Sequence, residues 1–119
     1  MDMEIKKDIF SKRELARCRN MDIAVYGKGS ALLLAGEFCY ESGSKQGCGA
    51  FIDQEFIVAL MHVFNVNVFQ EINNQPCFVT HDGNTIYKIE PLFPNEGRVF
   101  DISEWRKGWY ERQKARKVK

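Results

Sequence analysis

Two short turn sequences, each lying between apolar runs, constrain the fold of this chain more than any other feature. One is Gly27–Ser30 and the other is Asp82-Gly83-Asn84. Glycine and asparagine adopt the left-handed backbone conformations that tight reversals between strands require. The flanking runs, rich in apolar and β-branched residues, are 22–26 and 31–40 for the first turn and 76–81 and 85–89 for the second. The sequence therefore predicts two β-hairpins and an antiparallel sheet.

Two segments in the first half of the chain carry the sequence pattern of a helix start. Ser11–Glu14 has the form of a capping box with apolar residues on either side of it, which predicts an N-terminal helix over 1–20. Asp53 is a favoured N-cap for a second helix that runs to about Asn65. Because this second segment is apolar on nearly every side, it is predicted to be a central, buried helix.

The end of the chain begins with a third helix-start pattern. Asp101 is the predicted N-cap, and Glu104 lies at the third helical position. Ile102, Trp105 and Trp109 follow at helical spacing and predict an apolar edge that packs on the rest of the protein.

The 119 residues are predicted to form a single domain of the α+β class. The expected architecture is a small antiparallel β-sheet packed against a central helix, with short N-terminal and basic C-terminal helices. The expected divisions are an N-terminal helix at 1–20, an α+β core at 21–100 and a basic C-terminal helix or tail at 101–119.

The net charge of +1 conceals an uneven distribution along the chain. Residues 21–102 carry four basic and ten acidic side chains, whereas residues 103–119 carry seven basic and two acidic ones. An acidic body with a basic tail predicts that the tail binds an acidic partner, either a protein or a nucleic acid. No apolar run approaches the ~20 residues of a membrane-spanning helix. The charged N-terminus does not resemble a secretory signal, so we expect a cytoplasmic protein with no membrane partner.

The spacing of cysteine and histidine residues gives little indication of a metal site. The closely paired cysteines of structural zinc sites do not occur. Cys77 and His81 are four residues apart, which on one strand would separate their Cα atoms by ~13 Å. These side chains are therefore predicted to be structural, and no metal ion or cofactor is expected.

Cys48 provides the enzymatic alternative. It lies in a glycine-rich loop just before the helix that Asp53 begins, and a helix N-terminus lowers the pKa of a nearby thiol. His62 or His81 could supply a base. The sequence indicates neither an oxyanion hole nor a third, orienting group, so no catalytic residue is assigned and the protein is not predicted to be an enzyme.

A glycine-rich loop, an apolar helix and a closing strand follow one another through the middle of the chain, at Gly43–Ala50, Phe56–Val66 and Gly83–Ile89. In this order and spacing, residues 22–92 resemble a family of small, uncharacterised proteins encoded by phages and prophages. The family's closing Gly-His is replaced here by Glu90-Pro91. The resemblance implies a compact phage-encoded accessory protein and transfers no catalytic residue. Inhibitors of host defence, including anti-CRISPR proteins, are common among such proteins, which implies a host protein or ribonucleoprotein complex as the partner.

The leading hypothesis is a non-enzymatic protein that binds and inhibits a host component through its surface. Tryptophan, tyrosine and arginine are the usual anchors of such interfaces. The predicted contact residues are Trp109, Tyr110, Arg106 and Arg112 in the tail, and Glu37, Glu41 and Lys45 on and near the glycine loop. The alternative is a small nucleic-acid-binding protein that uses the same basic, aromatic tail. A homodimer is a further alternative, because an exposed strand edge could support one.

Overall fold

The computed structural model describes residues 11–26, 31–47, 50–52 and 54–118. The strands are β1 (Lys12–Tyr26), β2 (Ala31–Tyr40), β3 (Lys45–Gly47), β4 (Ala50–Ile52), β5 (Pro76–His81), β6 (Ile86–Pro91) and β7 (Phe100–Asp101). The helices are α1 (Gln54–Phe64) and α2 (Ile102–Val118), with short 3-10 helices at Phe69–Ile72 and Glu96–Arg98. The fold is therefore of the predicted α+β class.

The strands form one antiparallel sheet in the order β3-β2-β1-β5-β6-β7, and β4 pairs with β2 along the same edge as β3. Both predicted hairpins are confirmed. Tyr26 pairs with Ala31 at the end of the β1–β2 hairpin, and His81 pairs with Ile86 at the end of the β5–β6 hairpin. The turn residues Gly27–Ser30 lie outside the described residues.

The predicted N-terminal helix is wrong, as far as the described residues 11–20 are concerned. The segment after Ser11 belongs to β1, which pairs with β2 on one side and with β5 on the other. A capping box contributes about 1 kcal/mol, whereas pairing on both edges joins the two halves of the sheet and buries Ala16 and Cys18. Tertiary contacts therefore outweigh the local helix preference.

The core lies on one face of the sheet, beneath α1 and α2. Directly paired residues share a face, so Ala16, Tyr40 and Cys77 point to the same side, as do Val79 and Ile89. All five are buried.

The expectation of a central, fully buried helix is wrong. Of the α1 side chains, Phe56, Leu60 and Val63 are buried, while Val58 is 57% exposed. The sheet forms one layer of the fold, with β1 and β5 as its middle strands, and the helix packs on one face of it. The helix is therefore an outer layer with one buried stripe, and the predicted N-cap Asp53 lies outside the described residues.

A β-bulge bends β1 where it passes β2. Arg19 pairs with Glu37 and Asp22 pairs with Ala35, so two residues of β1 lie opposite the single residue Gly36. Gly36 has a φ of +144°, and a Cβ there would lie 2.6 Å from Met21 Sδ and 2.9 Å from Met21 Cα. Glycine is therefore required at this position by both conformation and space.

Candidate binding surfaces

The first surface is helix α2, which is fixed to the core at its N-terminal end. The Asp101 carboxylate accepts a hydrogen bond of 3.1 Å from the Glu104 backbone N–H, which confirms the predicted N-cap. Ile102 is buried. The Trp105 ring packs edge-on against Phe56 of α1, with the ring centroids 4.7 Å apart. These contacts position the rest of the helix at the β6–β7 edge of the sheet.

The aromatic residues predicted to bind a partner, Trp109 and Tyr110, lie about one helical turn after Trp105. Trp109 stacks on Trp105 at 6.2 Å between ring centroids, and Tyr110 meets Trp109 edge-on at 5.3 Å. Trp109 is half-buried, whereas Tyr110 is 56% exposed. Arg112 forms an ion pair with Glu55 of α1 at 3.5 Å. In the predicted contact group of the tail, the exposed Tyr110 ring therefore lies beside the half-buried Trp109 ring.

Charge is distributed unevenly around α2. Arg106, Tyr110 and Lys114 are four residues apart, and Lys117 follows three residues later, so all four lie along one side of the helix. Glu104 and Glu111 are seven residues apart and share another side. Because Tyr110 lies between basic positions, we call this side the basic face of α2.

The second predicted group lies at the opposite edge of the sheet. Lys45 is on β3 and pairs with Cys39, while Glu37 is on β2 and pairs with Gly47. Glu41 is exposed in the turn after β2, where its backbone N–H donates to Leu15 O. The strands β1, β5 and β6 lie between this edge and α2, so the two groups do not form one continuous site.

A buried polar cluster lies on the core side of the sheet. His81 is 3% exposed and stacks on Tyr40, with the ring planes at 6° and the centroids 4.1 Å apart. Its Nδ1 accepts a hydrogen bond from the Gly83 N–H at 3.1 Å. Its Nε2 therefore donates to Glu14 Oε2, at 2.6 Å. With both ring nitrogens occupied and the ring buried, His81 serves as a structural link between β5 and β1.

The Glu14 carboxylate completes this cluster. Burial raises the pKa of Glu14, but hydrogen bonds from His81 and Ser42 and the charge of Lys12 outweigh it, so the pKa lies below its usual value. The ionised carboxylate thus accepts the hydrogen bond that the His81 N–H donates.

The cysteines give no sign of a reactive site in the described residues. Cys18 and Cys77 are completely buried on the core face. A hydrogen bond with Cys77, together with burial, raises the pKa of the Cys18 thiol far above its usual value. Cys39 is partly exposed, and Cys48, the residue of the enzymatic alternative, lies outside the described residues. Within the described ranges, no group of three or more His, Cys, Asp or Glu side chains is placed to hold a metal ion.

One arrangement of polar residues was missed at the level of sequence. Arg17 and Arg19 lie on the outer face of β1, away from the core, and both donate hydrogen bonds to Asn74. Alternation of Arg17 and Arg19 with the apolar Ala16 and Cys18 could have revealed a strand with a basic outer face. The capping-box interpretation of the preceding residues obscured that pattern.

Comparison with known proteins adds no relative. The chain matches no protein-family model, no curated protein and no solved structure. Among the residues that the structure describes, no helix is both long enough and apolar enough to cross a membrane.

Proposed function

We propose that the protein is a non-enzymatic binding protein whose helix α2 docks on an acidic surface of a partner protein and inhibits it by covering that surface. One observation carries the proposal: Tyr110, 56% exposed, lies in the middle of the basic face of α2. Exposed tyrosine beside arginine is typical of the energetic centre of protein interfaces. Basic residues around it accelerate association with an acidic partner and set its orientation.

The packing of α2 supports this role because it holds the exposed residues in place. Trp105 fixes the helix on α1, and Trp109 supports the Tyr110 ring from the side. A tyrosine that is already ordered loses little conformational entropy when a partner binds. The resemblance of residues 22–92 to phage-encoded proteins favours a host component as the partner, such as a protein of a CRISPR-Cas defence complex.

A nucleic acid bound by the same helix is the second candidate function. The six basic side chains of α2 against its two acidic ones favour it. The two candidates differ in salt dependence. Binding to phosphates weakens linearly in a log–log plot, with a slope of about −0.7 to −0.9 for each phosphate neutralised. A protein interface centred on Tyr110 is expected to depend on salt much less.

The test is affinity capture of host proteins with the full-length chain, after nuclease treatment and at moderate salt. The wild type is compared with the double variant Arg106→Glu, Tyr110→Ala. Lys45→Glu is the control for the second predicted group: it reverses one charge at the opposite edge of the sheet, where docking through α2 requires no contact with the partner protein. We expect one stoichiometric protein to be retained by the wild type and the control, and to be lost by the double variant. Equal retention by all three would refute the assignment to α2.

A direct assay then separates inhibition from simple binding. The captured protein is purified, and its activity is titrated with the wild type and with the same variants. We expect inhibition to saturate at one inhibitor per target and to vanish with the double variant. Retention of mixed nucleic acid instead of a protein, with loss at high salt, would favour the second candidate function.

A further inference from the structure

The outer face of the sheet carries a pair of arginines that converge on one residue. Arg17 Nη1 donates to the backbone oxygen of Asn74 at 2.5 Å, and Arg19 Nη1 donates to the side-chain oxygen of the same residue. Asn74 is itself held to β1, because its backbone N–H donates to Cys18 O at 2.8 Å. Its φ of +70° is one that asparagine tolerates better than most residues. Two guanidinium groups are thus held side by side by an anchor that carries no charge.

Among the residues that the structure describes, no acidic side chain pairs with Arg17 or Arg19. The ion pairs among the described residues involve Lys12, Arg13, His81, Lys107 and Arg112, and neither Arg17 nor Arg19 takes part. Glu37 pairs with Arg19 across the two strands through the backbone, yet their side chains form no ion pair. Both arginines are exposed, so their remaining N–H donors face solvent. Paired arginine forks of this kind match the oxygens of a phosphate group.

A second feature of the same face offers a stacking surface. The Arg13 guanidinium lies over the Phe78 ring at 3.9 Å from the ring centroid, and Glu90 holds it there through an ion pair of 3.0 Å. The Arg13 side chain is still 49% exposed. Unpaired bases stack on arginine planes as they do on aromatic rings. Arg13 and Arg17 are four residues apart on β1, or ~13 Å, which is a distance of a few nucleotides along a single strand.

We propose that the outer face of the sheet binds single-stranded nucleic acid, with Arg17 and Arg19 gripping a backbone phosphate and Arg13, supported by Phe78, stacking an unpaired base. Lys45 lies in the same row as Arg17, two strands away, and extends the path of positive charge. The combination of a phosphate clamp with a stacking plane favours a polynucleotide over a phosphorylated protein, which would use the clamp alone. This site is separate from the basic face of α2 and goes beyond the proposed function.

The test is fluorescence anisotropy of labelled single-stranded RNA and DNA of about twelve nucleotides, titrated with the full-length protein over a series of salt concentrations. The main variant is Arg17→Gln with Arg19→Gln. The matched control is Arg106→Gln with Lys107→Gln, which removes the same charge from α2. We expect the main variant to weaken binding about tenfold or more and to reduce the salt slope by about 0.7, the value for one phosphate of a single strand. The control should change the affinity less than about twofold.

Two single substitutions distinguish a loss of nucleic-acid binding from a loss of folding. Asn74→Asp keeps the size of the anchor and adds a carboxylate that pairs with both arginines, so it should abolish binding without lowering the free energy of unfolding. Glu37→Gln removes the acidic residue that pairs in register with Arg19 and should tighten binding by about two- to threefold.

Several outcomes would overturn the proposal. Equal losses of oligonucleotide affinity in the main variant and the α2 control would show nonspecific electrostatic attraction. A loss of affinity in the control alone would assign the site to α2. Binding of a phosphoserine peptide but not of either oligonucleotide would assign the arginine pair to a phosphorylated protein instead. Failure of the wild type to bind at low salt would also refute it. None of these outcomes depends on capture of the partner protein by α2, so the two proposals can fail separately.

Discussion

Replacing Gly36 with alanine provides the sharpest test of the sheet geometry that presents both surfaces. The backbone φ of +144° is one that residues with a Cβ rarely adopt, which costs about 1–3 kcal/mol. The added Cβ would also lie 2.9 Å from Met21 Cα and 2.6 Å from Met21 Sδ. The sulfur can move, but the Cα belongs to the bulged backbone of β1 and cannot move alone.

The two effects add because they have different origins. Overpacking of this kind costs about 1–3 kcal/mol, so we expect Gly36→Ala to lower the free energy of unfolding by about 4 kcal/mol. That loss is a large fraction of the ~5–15 kcal/mol by which domains are stable. The variant should therefore unfold at a much lower urea concentration, with the same dependence on denaturant if the unfolded state is unchanged.

Two other glycines serve as controls for the separate contributions. Gly43 has a φ of +97° and open space around it, so Gly43→Ala should show only the conformational cost, of about 1–2 kcal/mol. At Gly47 the nearest atom to an added Cβ is Gly36 O at 4.0 Å, and Gly47→Ala should be nearly neutral. Urea unfolding followed by circular dichroism measures all three. Equal losses for Gly36→Ala and Gly43→Ala would refute the steric argument.

Three further predictions concern the contacts that hold the surfaces in place. The Tyr87 hydroxyl, with the Thr85 and Asn84 backbone N–H groups, lowers the pKa of Asp82 from 3.8 to about 2. The stability from this carboxylate is present above pH ~4 and is lost as the pH falls towards 2, so unfolding curves of Asp82→Asn should vary less over that range. His81→Phe keeps the stacking on Tyr40 but removes the hydrogen bonds that His81 makes with Glu14 and with the Gly83 N–H. It should cost about 1–3 kcal/mol in urea unfolding; an unchanged midpoint would contradict the assigned hydrogen bonds. Trp105→Ala removes the packing of α2 on Phe56 and, because Trp105 is only half-buried, should cost about 3 kcal/mol, the lower end for core tryptophans. Tyr110→Ala should cost less than ~0.5 kcal/mol. Thermal unfolding distinguishes these two, and similar losses would mean that Tyr110 is structural.

Features that depend on local sequence were predicted well. Asp82-Gly83-Asn84 forms its hairpin because the Asp82 carboxylate accepts the backbone N–H groups of Asn84 and Thr85, at 2.9 and 2.7 Å. Asp101 caps α2 in the same local way. In each case, the residues that determine the structure are within three positions of one another.

Features that depend on distant residues were missed. The capping box at Ser11–Glu14 was genuine as a pattern, but pairing with β2 and β5 decided the structure of that segment. The short strands β3 and β4 exist because β2 offers them an edge, and the glycine-rich sequence around them gives no sign of it. The convergence of Arg17 and Arg19 on Asn74 could not be predicted for the same reason, since Asn74 comes close to Arg17 only after the sheet has formed.

The order of the strands divides the sheet into two hairpin halves and a seam that joins them. The β1–β2 hairpin and the β5–β6 hairpin each join neighbouring parts of the chain, whereas the seam between them pairs Lys12 with His81 and Arg17 with Pro76. Closing that seam brings distant parts of the chain together and costs loop-closure entropy before its contacts form, so we expect it to be the slow event in folding. A substitution in the β1–β5 seam should therefore slow refolding, while one at the far end of β6 should mainly accelerate unfolding. Because Asn74 lies next to this seam, the pairing of Arg17 and Arg19 on Asn74 would form only in this last step. Nascent or misfolded chains would therefore lack the arginine pair.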